Sequence, residues 1–295
     1  MSRPTIVRSI LRKGLLTAAA ICLMGNSLAS VATADGISFV NSFRSNTYVQ
    51  TGDGNTTGYT GSFYTIDLNA ENAGNFTAAT VSYPGPGSPL TLTQQATTPT
   101  DFGYQSSTYA TQAAMDADFP FGTYQFDATG GTSGPASTSY SYTADAFSST
   151  TPYLAGNSYS DLQGMDPNSS LFVSFSTMTP DPSAADAFKF FTIRDNTTNT
   201  LVFDAGFLSS STAGITIPGG TLLPNESYTY ELIFSDRVLV PSPGADFDAQ
   251  LGFDLRTSGT FTTSVPEVAG VQLVGMAVPV MVFVAGYRRV RRTIA

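Results

Sequence analysis

The stretch LLPNESYTYELIF, residues 222–234, decides the fold class. Its even positions from Tyr228 onward, Tyr228, Tyr230, Leu232 and Phe234, are all apolar. Side chains alternate between the two faces of a β-strand, so this pattern predicts a strand with one side packed on a core.

Segments of the same kind recur along the chain between turn residues. Those richest in aromatic and β-branched residues predict strands at 62–68, 122–128, 171–176, 188–194 and 253–263. One short helix is predicted at 111–118, because Thr111 can cap it and Pro120 can stop it. Charged residues make up only 12% of the chain, against about 25% in an average soluble protein, while Gly and Pro are abundant. The sequence therefore predicts an all-β protein.

Leu222, Pro224 and Tyr228 have the spacing L-x-P-x-x-x-Y, which is similar to a segment of fibronectin type III domains. In those domains the Tyr begins a strand and forms a tyrosine corner, in which its hydroxyl bonds the preceding backbone. The resemblance implies an immunoglobulin/fibronectin III-like β-sandwich over residues 149–264. Another type of sandwich or a jelly roll stays open as an alternative. Residues 35–148 predict a first β domain packed against the second.

The first 34 residues have the order of a secretory signal peptide. Four cations precede an apolar run at 14–25, and Ala32-Thr33-Ala34 then supplies the small residues that signal peptidase accepts. We expect cleavage before Asp35. A retained membrane helix is the alternative, although the run is shorter than the ~20 residues that a bilayer span needs.

The other end of the chain predicts a membrane span. Residues 268–287 are apolar apart from Gln272 and have the required length. Four arginines follow at once: Arg288, Arg289, Arg291 and Arg292. Because basic residues beside a span stay in the cytoplasm, the body is expected outside and the tail inside.

Val265-Pro266-Glu267, the apolar segment and the arginine cluster together resemble the PEP-CTERM sorting signal of Gram-negative bacteria. The resemblance implies processing by exosortase, a membrane protease whose genes tend to accompany exopolysaccharide production. Val268 departs from the family, which usually has a second proline there. The alternative is a plain single-pass anchor over 268–287.

Composition excludes several kinds of chemistry. The chain has no His and no Trp, and its one cysteine, Cys22, lies inside the predicted signal peptide. Catalytic Ser-His or Cys-His pairs, His/Cys zinc sites and disulfides are therefore excluded from the mature protein. The body, 35–264, carries 5 cations against 21 acidic residues, a net charge of −16. Nucleic acid is not expected as a partner, because this charge repels phosphates.

Chemistry that needs only oxygen ligands or carboxylates stays open. Residues 53–58 imitate the start of a calcium loop, but Tyr64 stands where the loop requires a bidentate Glu. The pairs Asp116/Asp118 and 246/248 are weaker, so no metal or cofactor is predicted. Glycoside hydrolysis needs only two carboxylates. The glutamates of the body are Glu71, Glu226 and Glu231.

These observations predict a non-enzymatic protein, exported and then held in the cell envelope or released after C-terminal processing. Its expected partners are signal peptidase, an exosortase-like protease, the membrane through 268–287, and exopolysaccharide or matrix components. A carbohydrate-binding module is the first alternative, with aromatic platforms such as Tyr48, Tyr59 and Tyr64. A carboxylate-dependent glycosidase is the second.

Overall fold

The structure is a computed structural model that describes residues 36–242 and 245–265. The predicted signal peptide and the segment from Pro266 onward lie outside these ranges. The elements in chain order are β1 (Ile37–Gln50), β2 (Thr57–Ala70), β3 (Ala78–Ser82), β4 (Leu90–Gln95), β5 (Thr98–Gln105), α1 (Gln112–Asp118), β6 (Gly122–Thr129), β7 (Ala136–Tyr142), β8 (Leu154–Ala155), α2 (Ser158–Leu162), β9 (Leu171–Phe175), β10 (Asp186–Asp195), β11 (Leu201–Asp204), β12 (Leu208–Ser209), β13 (Gly214–Ile217), β14 (Ser227–Pro241) and β15 (Asp248–Thr262).

The all-β prediction is confirmed. Within the described ranges, twelve strands form one sheet in the order β11-β10-β14-β15-β1-β2-β5-β4-β3-β6-β7, with β12 beside β10, and β13-β9-β8 form a second sheet. The strand predicted at 228–234 is the first half of β14, and the alternation holds because Tyr228, Tyr230, Leu232 and Phe234 all lie in one core.

The second half of the chain forms a β-sandwich, as predicted. Its three-stranded sheet, β13-β9-β8, covers the β11-β10-β14-β15 part of the large sheet. Val173 and Phe175 of the small sheet meet Phe191 and Leu232 of the large one in a common core. With β12 beside β10, eight strands divide three against five, close to the seven of an immunoglobulin-like sandwich of this size.

The first half of the chain forms a second layered unit. Strand β4 pairs with β5 on one side and β3 on the other, so the sheet turns over and places β3, β6 and β7 above β1 and β2. The enclosed core is unusually rich in tyrosine. The rings of Tyr124 and Tyr140 stack with centroids 5.4 Å apart, and Tyr64 packs 6.1 Å from Tyr124.

The two cores share one continuous sheet, which the sequence did not predict. Strand β15 places Leu251 and Phe253 in the first core and Leu255 and Phe261 in the second. Strand β1 pairs with β15 in parallel, from Asn41 opposite Gln250 to Val49 opposite Ser258. The two predicted β domains are therefore joined side by side through their longest strands, and the boundary at residue 148 stays a prediction.

The predicted helix is α1, and its cap is confirmed. The Thr111 side chain accepts a hydrogen bond from the Ala114 amide at 3.1 Å. The short helix α2 was not predicted. Within the two described ranges, no helix has the length and hydrophobicity that a membrane crossing requires.

Candidate functional site

The three predicted corner residues come together at the start of β14. Tyr228 is 1% exposed, and its hydroxyl accepts a hydrogen bond from the Leu223 amide at 2.8 Å. Its ring stacks on Phe261 with centroids 5.5 Å apart. Leu222 is buried, whereas Pro224 lies exposed in the turn. This constellation holds the loop before β14 to the sandwich, which is a structural task.

The predicted sorting and cleavage residues lie almost entirely outside the described ranges. They are Ala32, Ala34, Asp35, Pro266, Glu267, Arg288, Arg289, Arg291 and Arg292. Val265 is described and is 65% exposed. Just before it, the Ser264 amide donates to the Met165 carbonyl at 2.9 Å. This bond holds Ser264, the residue just before the predicted signal, on the body.

Asp53 and Asp118, two of the carboxylates considered as calcium ligands, serve as structural partners, whereas Asp246 and Asp248 are exposed. Asp53 Oδ1 accepts a hydrogen bond from the Ser160 amide at 2.9 Å, in the first turn of α2. Asp118 accepts from the Tyr109 hydroxyl at 2.7 Å. No cluster of three or more His, Cys, Asp or Glu side chains in the described part of the chain is arranged to bind a metal.

Asp116 belongs to a buried network around Arg44. Arg44 is 1% exposed and donates to the Phe119 carbonyl and the Tyr142 hydroxyl, both at 2.9 Å. It forms ion pairs with Asp116 and with Asp145, whose Oδ1 is 2.9 Å from Arg44 Nε without hydrogen-bond alignment. Burial opposes the charge, but Tyr142 and the two carboxylates outweigh it and raise the pKa of Arg44. The network fastens α1 and the loop after β7 to β1.

The predicted sugar-stacking tyrosines have different surroundings. Tyr64 is fully buried in the first core, and Tyr48 packs against the second. Tyr59 is 41% exposed and meets Tyr48 edge to face, with ring centroids 5.6 Å apart. Of these three rings, only Tyr59 offers substantial surface to a ligand.

The face of the large sheet opposite the two cores carries polar and aromatic side chains that the sequence analysis missed. Strand pairing aligns them in one row, which we call the cross-strand row: Phe63, Ser45, Asp254, Ser235 and Phe188. Its three central members are buried, and the two phenylalanines at its ends are partly buried. A phenylalanine therefore closes each end of a polar strip.

Each end of the cross-strand row also carries an arginine. Arg256 lies 5.4 Å from the centroid of Phe63, and its guanidinium is 3.5 Å from Glu231 and 3.4 Å from Asp254. Arg237 lies 5.3 Å from the centroid of Phe188 and pairs with Asp186. Burial raises the pKa of Asp254, and Arg256 opposes that shift. Because one arginine contacts both Glu231 and Asp254, the geometry favours a charge network over an acid–base pair.

A cavity of about 350 Å³ opens at the end of β9, beside Lys189 of β10. Lys189 is 1% exposed, and its ammonium donates to the Ser176 carbonyl at 3.1 Å and the Thr212 carbonyl at 2.7 Å. The ammonium also lies 5.0 Å from the centroid of Phe234. Burial lowers the pKa of Lys189. In the sequence, Lys189 is a single lysine within a strand rich in aromatic residues. Once the inward face of that strand is known, strand alternation places Lys189 on it.

Comparisons with known proteins do not assign the chain to a family. No family model matches it, and no curated protein matches it. Among solved structures, the FN1-FN3 domains of chicken CNTN1 match at 8% identity and a TM-score of 0.25, covering 68% of this chain and 62% of that one. A Ca²⁺-stabilized adhesin with which an Antarctic bacterium binds ice matches at 13% identity and a TM-score of 0.23, covering 77% and 48%. A 1.5-MDa bacterial ice-binding adhesin matches at 13% identity and a TM-score of 0.21, covering 77% and 65%.

In all three matches this chain spans less than two thirds of the other chain. TM-scores this low carry no argument about fold or function. The assignment of a β-sandwich therefore rests on the strand pairing described above.

Proposed function

We propose that the chain is an exported, non-enzymatic protein of the bacterial cell envelope or matrix, associated with exopolysaccharide. The observation that supports the non-enzymatic part is that Asp116, Glu231 and Asp254, three carboxylates that are not exposed, are each paired with an arginine. Asp116 pairs with Arg44, and Glu231 and Asp254 share Arg256. A general acid or base must keep a free carboxyl facing its substrate.

The location is proposed from the two ends of the sequence. A leader with the order of a signal peptide precedes the body, and Val265-Pro266-Glu267, an apolar segment and four arginines follow it. The exposed Val265 supports the proposal, because a protease needs an accessible extended segment beside the folded body. On this proposal the C-terminal segment is read by an exosortase-type protease.

Mass spectrometry of the protein from its native host tests the proposal. We expect a mature form that begins at Asp35 and lacks the arginine tail. Glu267→Ala should block C-terminal processing while the chain still inserts into the membrane. Glu226→Ala, at a half-buried loop position within the body, is the matched control and should leave processing unchanged. A mature envelope protein that ends at Ala295 would show that 268–287 is only an anchor.

A carbohydrate-binding module is the second candidate, favoured by Tyr59, whose ring is 41% exposed beside Tyr48. An exposed aromatic ring offers the flat apolar face on which a sugar ring can stack. A glycan array probed with the mature protein, together with an activity screen, separates the candidates. Binding without turnover selects the module, turnover selects a glycosidase, and neither result leaves the structural protein.

A further inference from the structure

The Lys189 cavity contains a cation without an anionic partner. Among the described residues, no carboxylate oxygen lies within 4.0 Å of Lys189 Nζ. Arg44, Arg237 and Arg256 by contrast each have at least one carboxylate at that distance. A buried ammonium group is costly unless it is paired, so Lys189 stands apart from these three arginines.

The Lys189 ammonium has one donor without an acceptor among the described residues. The ammonium has three N–H donors, and two of them are used by the Ser176 and Thr212 carbonyls. Lys189 is itself one of the residues that line the cavity. An anion in the cavity would satisfy the remaining donor and supply the missing charge.

The rest of the lining indicates what kind of anion fits. Three hydroxyl residues, Thr177, Ser210 and Ser211, line the cavity together with Phe175, Met178 and Ala213, whereas the hydroxyl of Ser176 accepts a hydrogen bond from the Tyr153 amide at 3.0 Å. Hydroxyls both donate and accept hydrogen bonds, so they match a polyhydroxylated ligand, and the apolar side chains match the carbon face of a sugar ring. The volume of about 350 Å³ is at the small end of the range for ligand sites, roughly 300–1,000 Å³.

We propose that the Lys189 cavity binds a hexuronate, a six-carbon sugar acid, with its carboxylate on the Lys189 ammonium and its hydroxyls on the surrounding serines and threonine. The cavity gives the exported protein a specific acidic-sugar ligand. The site rests on the geometry of the sandwich and does not depend on C-terminal sorting. Its failure would therefore leave the mass-spectrometric test of sorting unaffected.

The experiment is a calorimetric titration of the full mature chain, in detergent, with sodium galacturonate. Galactose is the matched neutral ligand, since it has CH₂OH in place of the carboxylate. We expect saturable binding of galacturonate at millimolar concentrations and at least tenfold weaker binding of galactose. Methyl galacturonoside, a mimic of a residue within a polysaccharide, separates a glycan source of the ligand from a free sugar acid.

Two variants act on the site in different ways. Lys189→Met removes the charge at similar side-chain volume, and Ala213→Phe fills the cavity while the charge remains. Both should weaken galacturonate binding at least tenfold. Arg194→Gln is the control, because it removes a cation of the same strand that points to the other face. Equal affinity for both sugars, no saturable binding, or wild-type affinity in either folded variant would overturn the proposal.

Discussion

Tyr228→Phe removes one oxygen atom and tests the tyrosine corner. The lost hydroxyl is the acceptor for the Leu223 amide at 2.8 Å, on a side chain that is 1% exposed. Leaving a buried donor without a partner costs about 1–3 kcal/mol. We expect the lower half of that range, because Leu223 itself is 60% exposed and water can reach its amide. The ring and its stacking on Phe261 are unchanged by this substitution.

The assay is urea unfolding of the full chain, followed by tyrosine fluorescence. Tyr228→Ala should cost more, about 3–5 kcal/mol, because it also opens a cavity beside Phe261. Thr229→Val is the control, since the Thr229 hydroxyl bonds Asn196 at the surface, and its cost should stay within about 0.5 kcal/mol. If Tyr228→Phe unfolds at the same urea concentration as the wild type, the hydroxyl does not hold the loop and the corner interpretation is wrong.

Three further substitutions test the first half of the chain. Arg44→Met should lower the free energy of unfolding by about 3–5 kcal/mol, measured in urea, because it leaves partly buried carboxylates such as Asp145 without their cation. Burial and the nearby Asp101 raise the pKa of Asp67 to about 7. The folded state therefore favours the protonated carboxyl of Asp67, so the stability that this residue contributes is present below pH 4 and is lost as the pH rises towards 7. Asp67→Asn should therefore stabilise the protein at pH 8, by an order of 1–4 kcal/mol, and change little at pH 4, which thermal melts at both values can measure. Thr111→Ala should cost about 1 kcal/mol through loss of the α1 cap, seen as faster amide exchange at Ala114, and unchanged exchange there would contradict the cap.

Local features of the fold were predictable because they depend on neighbouring residues. The first part of β14, from Ser227 to Leu232, alternates between half-buried and buried side chains, and α1 shows its cap and its stop. The pairing of β1 with β15 was not predictable, because no local pattern links residues near 45 to residues near 254. That pairing joins the two cores, and it also creates the cross-strand row.

The candidate sites followed the same division. Tyr228 was identified through the resemblance of residues 222–228 to a fibronectin type III segment, a motif that is local because its corner bond spans a few residues of one loop. Lys189 was visible as a lone cation in an aromatic strand, but its cavity is built by the end of β9 and the loop after β12. Strand β15 gave no clear alternation at its centre, because residues on both faces, such as Phe253 and Asp254, are buried. Partners on distant strands bury them, and those partners were unknown.

The parallel pairing of the first and last strands has a mechanical consequence. The chain enters the body beside the start of β15 and leaves it beyond the end of β1, so the two termini of the body lie at opposite ends of a strand of 15 residues, roughly 50 Å long. Tension between these termini pulls β1 and β15 past each other along their length. All nine aligned residue pairs, Asn41/Gln250 to Val49/Ser258, then resist in shear together, whereas a hairpin pulled at its open end loses its bonds one by one. Resistance to forced unfolding depends on this rate-limiting rupture rather than on equilibrium stability. If the body is held at its C-terminal end and pulled at its N-terminal end, the force acts on the parallel pairing of β1 with β15.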